Sequence, residues 1–309
     1  MELRQLQYLV AVVEEGGFTR AAERLHLAQP GISAQIRRLE RELGQRLLDR
    51  TGRSVTPTEA GAAVLPYARA ALAAVEGVRQ TAQAHAGLLT GQVAVGMVAG
   101  VPGGSDERGS DLAAVLAAFH TEHPGVEISL REATSEWMLT ALRRGELDLA
   151  VVGLESAEPP PGLDLQLVVD LPLVAATAPG HPFAADPGPL PVADLAGHPL
   201  IGLPPGTGVR GALERACTEA GVRPRVAFEA STPPLLAHLA ARGLGVAVLP
   251  QPAPGAAEAL GLHVRRLVAP EPRGRVALAW PAAGPARPAA RALLARLRGA
   301  FAAAGPVTP

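Results

Sequence analysis

A chain of 309 residues with 48% apolar content is long enough for about two domains, or three small ones, with aromatics so few that the cores must be built from Ala, Val and Leu. Net charge of −1 excludes a bulk polyelectrolyte, one cysteine excludes an internal disulfide, and no apolar run reaches the length of a membrane span. All 28 basic residues are Arg, which excludes lysine chemistry, both the Schiff base and the phosphate loop that ends in Gly-Lys.

In chain order, Leu3, Leu6, Val10 and Val13 form the inward face of a first helix, stopped by Gly16-Gly17. Residues 18–25 make a second short helix, in which Ala21 and Ala22 permit close crossing. Residues 30–43 follow after a tight turn at Leu27-Ala28. Here Ile32, Ile36, Leu39 and Leu43 step by four, three and four, the stripe of an amphipathic helix. Pro30, Ala34, Arg37 and Arg41 fall on the opposite side, with Ser33 and Arg38 on the flanks; Gly44 ends the helix. Any surface helix could carry this stripe, but two short helices around a tight turn make a helix-turn-helix, whose second member fits a DNA major groove. Residues 47–50 and 54–56 read as two strands around Thr51-Gly52-Arg53. They form a wing with Arg50 and Arg53 at its tip, placed for phosphates. Residues 1–90 carry net +2 and residues 91–309 net −3, the asymmetry expected of such an N-terminal unit.

A long helix covers residues 59–88. Leu65, Ala68, Leu72 and Val75 recur near a heptad, and Pro66 predicts a kink. Its length of roughly 45 Å leaves one face without a partner in a small domain. A second copy of the chain can bury that face, as can the chain's own C-terminal half. A hinge follows at residues 87–91, and then strands and helices alternate in the α/β manner. Strands are expected at residues 93–98, 126–130, 147–152, 165–169, 173–178, 226–228, 246–249, 264–267 and 276–280. Helices are expected at 112–120, 137–144, 209–220, 235–241 and 289–303, with a Pro/Gly-rich loop at 179–191.

The N-terminal segment resembles the winged helix-turn-helix of the LysR-type transcriptional regulators. The resemblance rests on Leu3, Leu6, Phe18, Ala21-Ala22, Leu25, Gln29-Pro30, Ser33, Gln35-Ile36, Leu39-Glu40, Leu43-Gly44, Leu47, Arg50, Gly52 and Thr58-Glu59-Ala60-Gly61. Ala34 departs from a common Arg and Leu48 from a common Phe. The resemblance continues through Pro124-Gly125-Val126, residues 145–150, Gly221 and residues 242–250. It implies a DNA-binding domain at residues 1–58, a linker and dimerisation helix at 59–88, and an effector-binding domain at 92–309. The last is of the periplasmic-binding-protein type, with subdomain I at about 92–163 and 268–309 and subdomain II at about 164–267. The DNA-binding residues on this reading are Thr19, Gln29, Pro30, Ser33, Ala34, Arg37, Arg38, Arg50 and Arg53; Leu65, Ala68, Leu72 and Val75 pair two subunits into a homodimer, or a homotetramer of paired dimers.

No Gly-x-Ser-x-Gly elbow or other catalytic cluster is visible, so an enzyme, a cofactor and a metal are not expected. His120 and His123 read as a solvated helix end. Thr134-Ser135 and Ser231-Thr232 open helices after strands. Each pair reads equally as a plain N-cap or as a site for a ligand in the cleft. Gly206-Thr207-Gly208 is a turn or a weak anion nest, and Ala99-Gly100-Val101 offers backbone groups only. The resemblance makes Thr134-Ser135, Ser231-Thr232 and Ala99-Gly100-Val101 effector-contacting positions, Gly206 and Thr207 join them by their place in the chain, and free N–H groups at the helix start at Thr134-Ser135 favour a small effector with a carboxylate. Cys217 reads as a packing thiol. The expectation is a cytoplasmic, ligand-responsive regulator of operator DNA. The alternative is a small-molecule binding protein whose N-terminal unit serves dimerisation only.

Overall fold

The computed structural model describes residues 1–50, 54–85, 89–99, 112–156 and 158–305. The N-terminal unit comprises α1 (Leu3–Glu15), α2 (Phe18–Arg24), α3 (Gln29–Leu43), β1 (Leu48–Asp49), β2 (Thr56–Pro57) and the 27-residue α4 (Glu59–His85), which runs through Pro66. Its core joins Leu6, Leu9 and Val12 of α1 to Ala21 and Ala22 of α2, Ile32, Ile36 and Leu39 of α3, and Leu65 and Ala68 of α4. The buried side of α1 is rotated from the expected one. Leu3 is exposed and Val10 and Val13 are half-buried, because Gln5 turns inward to donate from Nε2 to Gln35 Oε1 of α3 at 3.3 Å.

The C-terminal unit has two α/β subdomains on one continuous strand path. Subdomain I contains β3 (Gly91–Met97), α5 (Leu112–Glu122), β4 (Val126–Glu132), α6 (Ser135–Arg143), β5 (Leu149–Leu154) and the first part of β6 (Leu163–Thr177). Subdomain II contains the rest of β6, β7 (Leu190–Pro191), β8 (Pro199–Gly202), α7 (Gly208–Glu219), β9 (Arg225–Glu229), α8 (Pro233–Ala241), β10 (Val246–Pro250), α9 (Ala256–Ala259) and β11 (His263–Val268). The chain returns to subdomain I with β12 (Arg273–Pro281) and α10 (Pro288–Ala304). The strand order is β4-β3-β5-β12-β6-β10-β8-β9, with β11 also on β6.

Residues 165–169 and 173–178, expected as two strands, are one. β6 pairs with β12 from Leu163 to Pro172 and with β10 from Leu173 onward. Pro172, which has no N–H to give a ladder, sits where the partner changes. The strand partner of β6 thus changes between Pro172 and Leu173, and β12 begins its pairing at Arg273.

Candidate nucleic-acid interface and ligand cleft

Helix α3 follows an extended Ala28 and ends on Gly44 at φ 68°. Its buried stripe leaves Gln29, Pro30, Ala34, Arg37, Arg38 and Arg41 exposed along the other side, and Thr19 of α2 is exposed as well. Leu43 overhangs the core and is exposed. Ser33 is corrected from the reading face to the packing face: it is only 7% exposed, being close enough to the apolar stripe to be covered with it.

Arg50 is corrected in the same way. Its guanidinium does not point outward but donates to Glu40 Oε2 at 2.9 Å and lies 5.0 Å from the Phe18 ring centroid. Glu40 Oε1 also accepts the Leu47 and Leu48 N–H groups at 3.0 and 3.3 Å, so one carboxylate ties the base of the wing to α3. Thr58 closes the other side: its hydroxyl donates to Arg46 O at 2.7 Å and accepts the Gly61 N–H at 3.0 Å. Gly61 must be glycine, since a Cβ there would stand 2.0 Å from Leu47 O. Arg53 and Gly52 lie outside the described residues.

Most arginines here are already engaged. Arg24 pairs with Glu14 and Glu15, Arg38 with Glu42 and Glu2, and Arg69 with Glu146 and Glu14. Among the described residues no carboxylate lies within ion-pair distance of Arg37, Arg41 or Arg46, which line one shallow groove at the C-terminal end of α3. Arg41 and Arg46 were not assigned from sequence, although Arg41 shares the face of Arg37.

The pairing residues on α4 also need correction. Leu65 and Ala68 are buried in their own domain's core, and Leu72 packs against it. The apolar face left open is Ala63, Tyr67, Ala70, Ala74 and Val78, with Tyr67 79% and Val78 71% exposed and Val75 at its edge. The hinge at residues 87–91 falls partly outside the described residues; Gly91 opens β3.

In the C-terminal unit the structure brings Thr134, Ser135 and residues 206–208 together across the two subdomains. Thr134 caps α6 by accepting Trp137 N–H at 3.4 Å. Buried Ser135 accepts Gly153 N–H of β5 on its Oγ at 2.9 Å, and Glu136 N–H donates to Gly206 O at 3.3 Å. At Gly208, the start of α7, a Cβ would stand 2.5 Å from Gly153 C, so only glycine lets α7 approach β5 this closely. The expectation of free N–H groups at the start of α6 is thus corrected for Glu136 and Trp137, whose N–H groups are already paired. Thr207 donates its hydroxyl to Pro204 O at 2.8 Å and does not cap α7. Ser231 is exposed and Thr232 half-buried at the start of α8, and Ala99 is half-buried beyond β3. Gly100 and Val101 lie outside the described residues.

His123 sets its ring edge-on to Phe119 at 4.8 Å, and no group of three or more metal-ligating side chains occurs among the described residues. No helix among them is long and apolar enough to cross a membrane. Cys217 is fully buried beside Ala216 and Val246. Burial first, and the nearby Glu214 charge second, push its thiol pKa up.

A helix-turn-helix with a wing, joined by one long helix to a two-subdomain α/β unit, is the architecture of a DNA-binding, ligand-binding class of protein. Residues 3–62 match the bacterial regulatory helix-turn-helix protein family of lysR type, and residues 78–302 match the LysR substrate binding domain. The chain belongs to the LysR family. It is 33% identical to the DNA-binding transcriptional dual regulator OxyR of Escherichia coli K12, over 97% of each chain. Among solved structures, it resembles a full-length OxyR variant from Pseudomonas aeruginosa (27% identity, TM-score 0.69, 97% of this chain and 94% of that one). It also resembles full-length CbnR complexed with its target DNA (25% identity, TM-score 0.57, 99% and 100%).

Proposed function

We propose that this chain is a cytoplasmic homodimer, or a pair of such dimers, that sets transcription by reading operator DNA and responding to a small molecule between its two subdomains. The observation that carries this reading is the outward face of α3, where Arg37 and Arg41 stand exposed beside Arg46 with no acidic partner among the described residues. Guanidinium groups outside ion pairs, with only the Arg41 Nε donating to Arg37 O at 3.4 Å, are available to phosphates, and each phosphate contact steepens the salt dependence by about 0.9. Gln29, Pro30, Ala34 and Arg37 face the base edges, with Thr19 and Arg38 beside them; Arg41 and Arg46 extend the track along the backbone, and Arg53, outside the described residues, keeps its assignment to phosphate from the sequence alone. Arg41→Ala with Arg46→Ala should weaken binding to operator and unrelated DNA alike and lower the salt slope by about two. Arg37→Ala should also relax base preference, by about 1–3 kcal/mol if its contact is bidentate. Gel shifts across a salt series decide; an unchanged slope removes the groove from the DNA surface.

The effector reading rests on the juncture of α6 and α7. A ligand oxygen, from a carboxylate or a carbonyl, can replace Gly206 O as the acceptor for Glu136 N–H and so part the two subdomains. The reading is of a regulator and not of an enzyme.

Relatives named as hydrogen peroxide-inducible gene activators do not set the signal for this chain. Its one cysteine cannot form an intrachain disulfide, and burial keeps that thiol protonated and shielded. Hydrogen peroxide should therefore leave operator binding and the mass of the peptide that holds Cys217 unchanged. Oxidation of Cys217 under native conditions, accompanied by altered binding, contradicts this.

A further inference from the structure

We propose that Arg69 is a positioning residue that couples the ligand cleft to the DNA-binding domain within one chain. The Arg69 side chain, on α4, is 13% exposed. It donates from Nη1 to Glu146 Oε1 at 2.8 Å and faces Glu14 Oε1 from Nη2 at 3.7 Å. Glu14 belongs to α1 of the DNA-binding domain, and Glu146 follows the Gly145 turn that closes α6 in subdomain I. One guanidinium thus touches both units from the helix that joins them. Two turns further along α4, the backbone at Gly77 comes so close to Ala286 that a Cβ would stand 3.1 Å from the Ala286 carbonyl oxygen. The Glu146 end is itself held in place. Asp148, two residues on, accepts Arg287 at 2.9 Å and the Ala94 N–H at 2.9 Å.

The opposite end of α6 carries Thr134 and Ser135 at the subdomain juncture. A nine-residue helix of about 14 Å therefore runs from the cleft to the Arg69 contact. A short helix moves as a rigid body. A ligand that displaces Gly206 O from Glu136 N–H shifts the start of α6, and the shift arrives at Glu146. Arg69 then follows Glu146 or releases it, which changes the angle of α4 and of the recognition helix attached to it. Coupling of this kind needs an element whose two positions are biased from both sites, and α6 with its Arg69 contact has that form. The inference rests on the effector reading above for its trigger, but the contact can be tested without a ligand.

The test uses the full-length protein in a Glu14→Gln background, so that a single pair is reversed. Small-angle scattering reports domain arrangement, and circular-permutation gel shifts on the protein's own upstream DNA report the bend. Arg69→Glu and Glu146→Arg should each change the scattering profile and the bend, with unchanged affinity for a single half-site. Arg69→Glu combined with Glu146→Arg should restore both. A merely structural role would lower thermal stability in the single variants and leave the bend unchanged. Single variants that match the background protein in both readouts, or a change that the reversed pair does not undo, overturn the proposal. If the wild-type protein binds no DNA, the functional reading fails, and the scattering arm alone still decides on the Arg69 contact.

Discussion

Replacing Ala74 by Glu is expected to separate the dimer and lower operator affinity by about 10²–10⁴-fold, the range lost when two linked binding modules become independent. Ala63, Tyr67, Ala70, Ala74 and Val78 recur along α4 with three- and four-residue spacing and stay exposed, while Leu65 and Ala68 are consumed by the core on the other side. A charge in the middle of that open stripe is buried unpaired when two stripes meet, at a cost of several kcal/mol. Ala74 is exposed in the single chain, so the variant should fold normally and keep its affinity for a half-site. Sedimentation checks the assembly and a thermal melt checks the fold; an intact dimer removes α4 from the interface. Leu72→Glu is the less informative substitution, because Leu72 packs on its own domain.

Glu40→Ala should be strongly damaging within the DNA-binding domain. Glu40, with 11% of its side chain exposed, accepts two backbone N–H groups and the Arg50 guanidinium, and Arg50 Nε is already buried without a partner. Removing the carboxylate strands all three donors, at about 2–3 kcal/mol. The wing then loses its fixed position relative to α3, so stability and operator affinity should fall together. Glu40→Gln keeps an acceptor for the backbone and should recover most of the stability. A thermal melt on both variants checks this: Glu40→Ala melting within a degree of wild type contradicts the role given to Glu40.

Local periodicity reveals the elements, and relations between elements are hidden from it. The steps of Ile32, Ile36 and Leu39 mark the buried side of α3, and the small Ser33 beside them is covered with that stripe. The same reasoning misassigns α4, since an Ala-rich helix carries two apolar faces and composition does not say which one the domain uses. Arg50 looks like a wing-tip residue until Glu40, ten positions earlier, is seen to hold it. Gly208 looks like part of a turn, and its role in bringing α7 against β5 needs a strand more than fifty residues away. Strand β6 reads as two because Pro172 interrupts the pattern, while the fold uses that proline where the pairing partner changes.

The most direct test of the central claim is a footprint of the full-length protein on its own upstream DNA, titrated in parallel against unrelated DNA of equal length. The account predicts protection of two half-sites on one face of the duplex, separated by whole helical turns. Affinity should exceed that for unrelated DNA by at least about 10³-fold at physiological salt. Equal affinity for both DNAs, with no phased protection, would contradict it and leave a small-molecule binding protein whose N-terminal unit serves assembly alone.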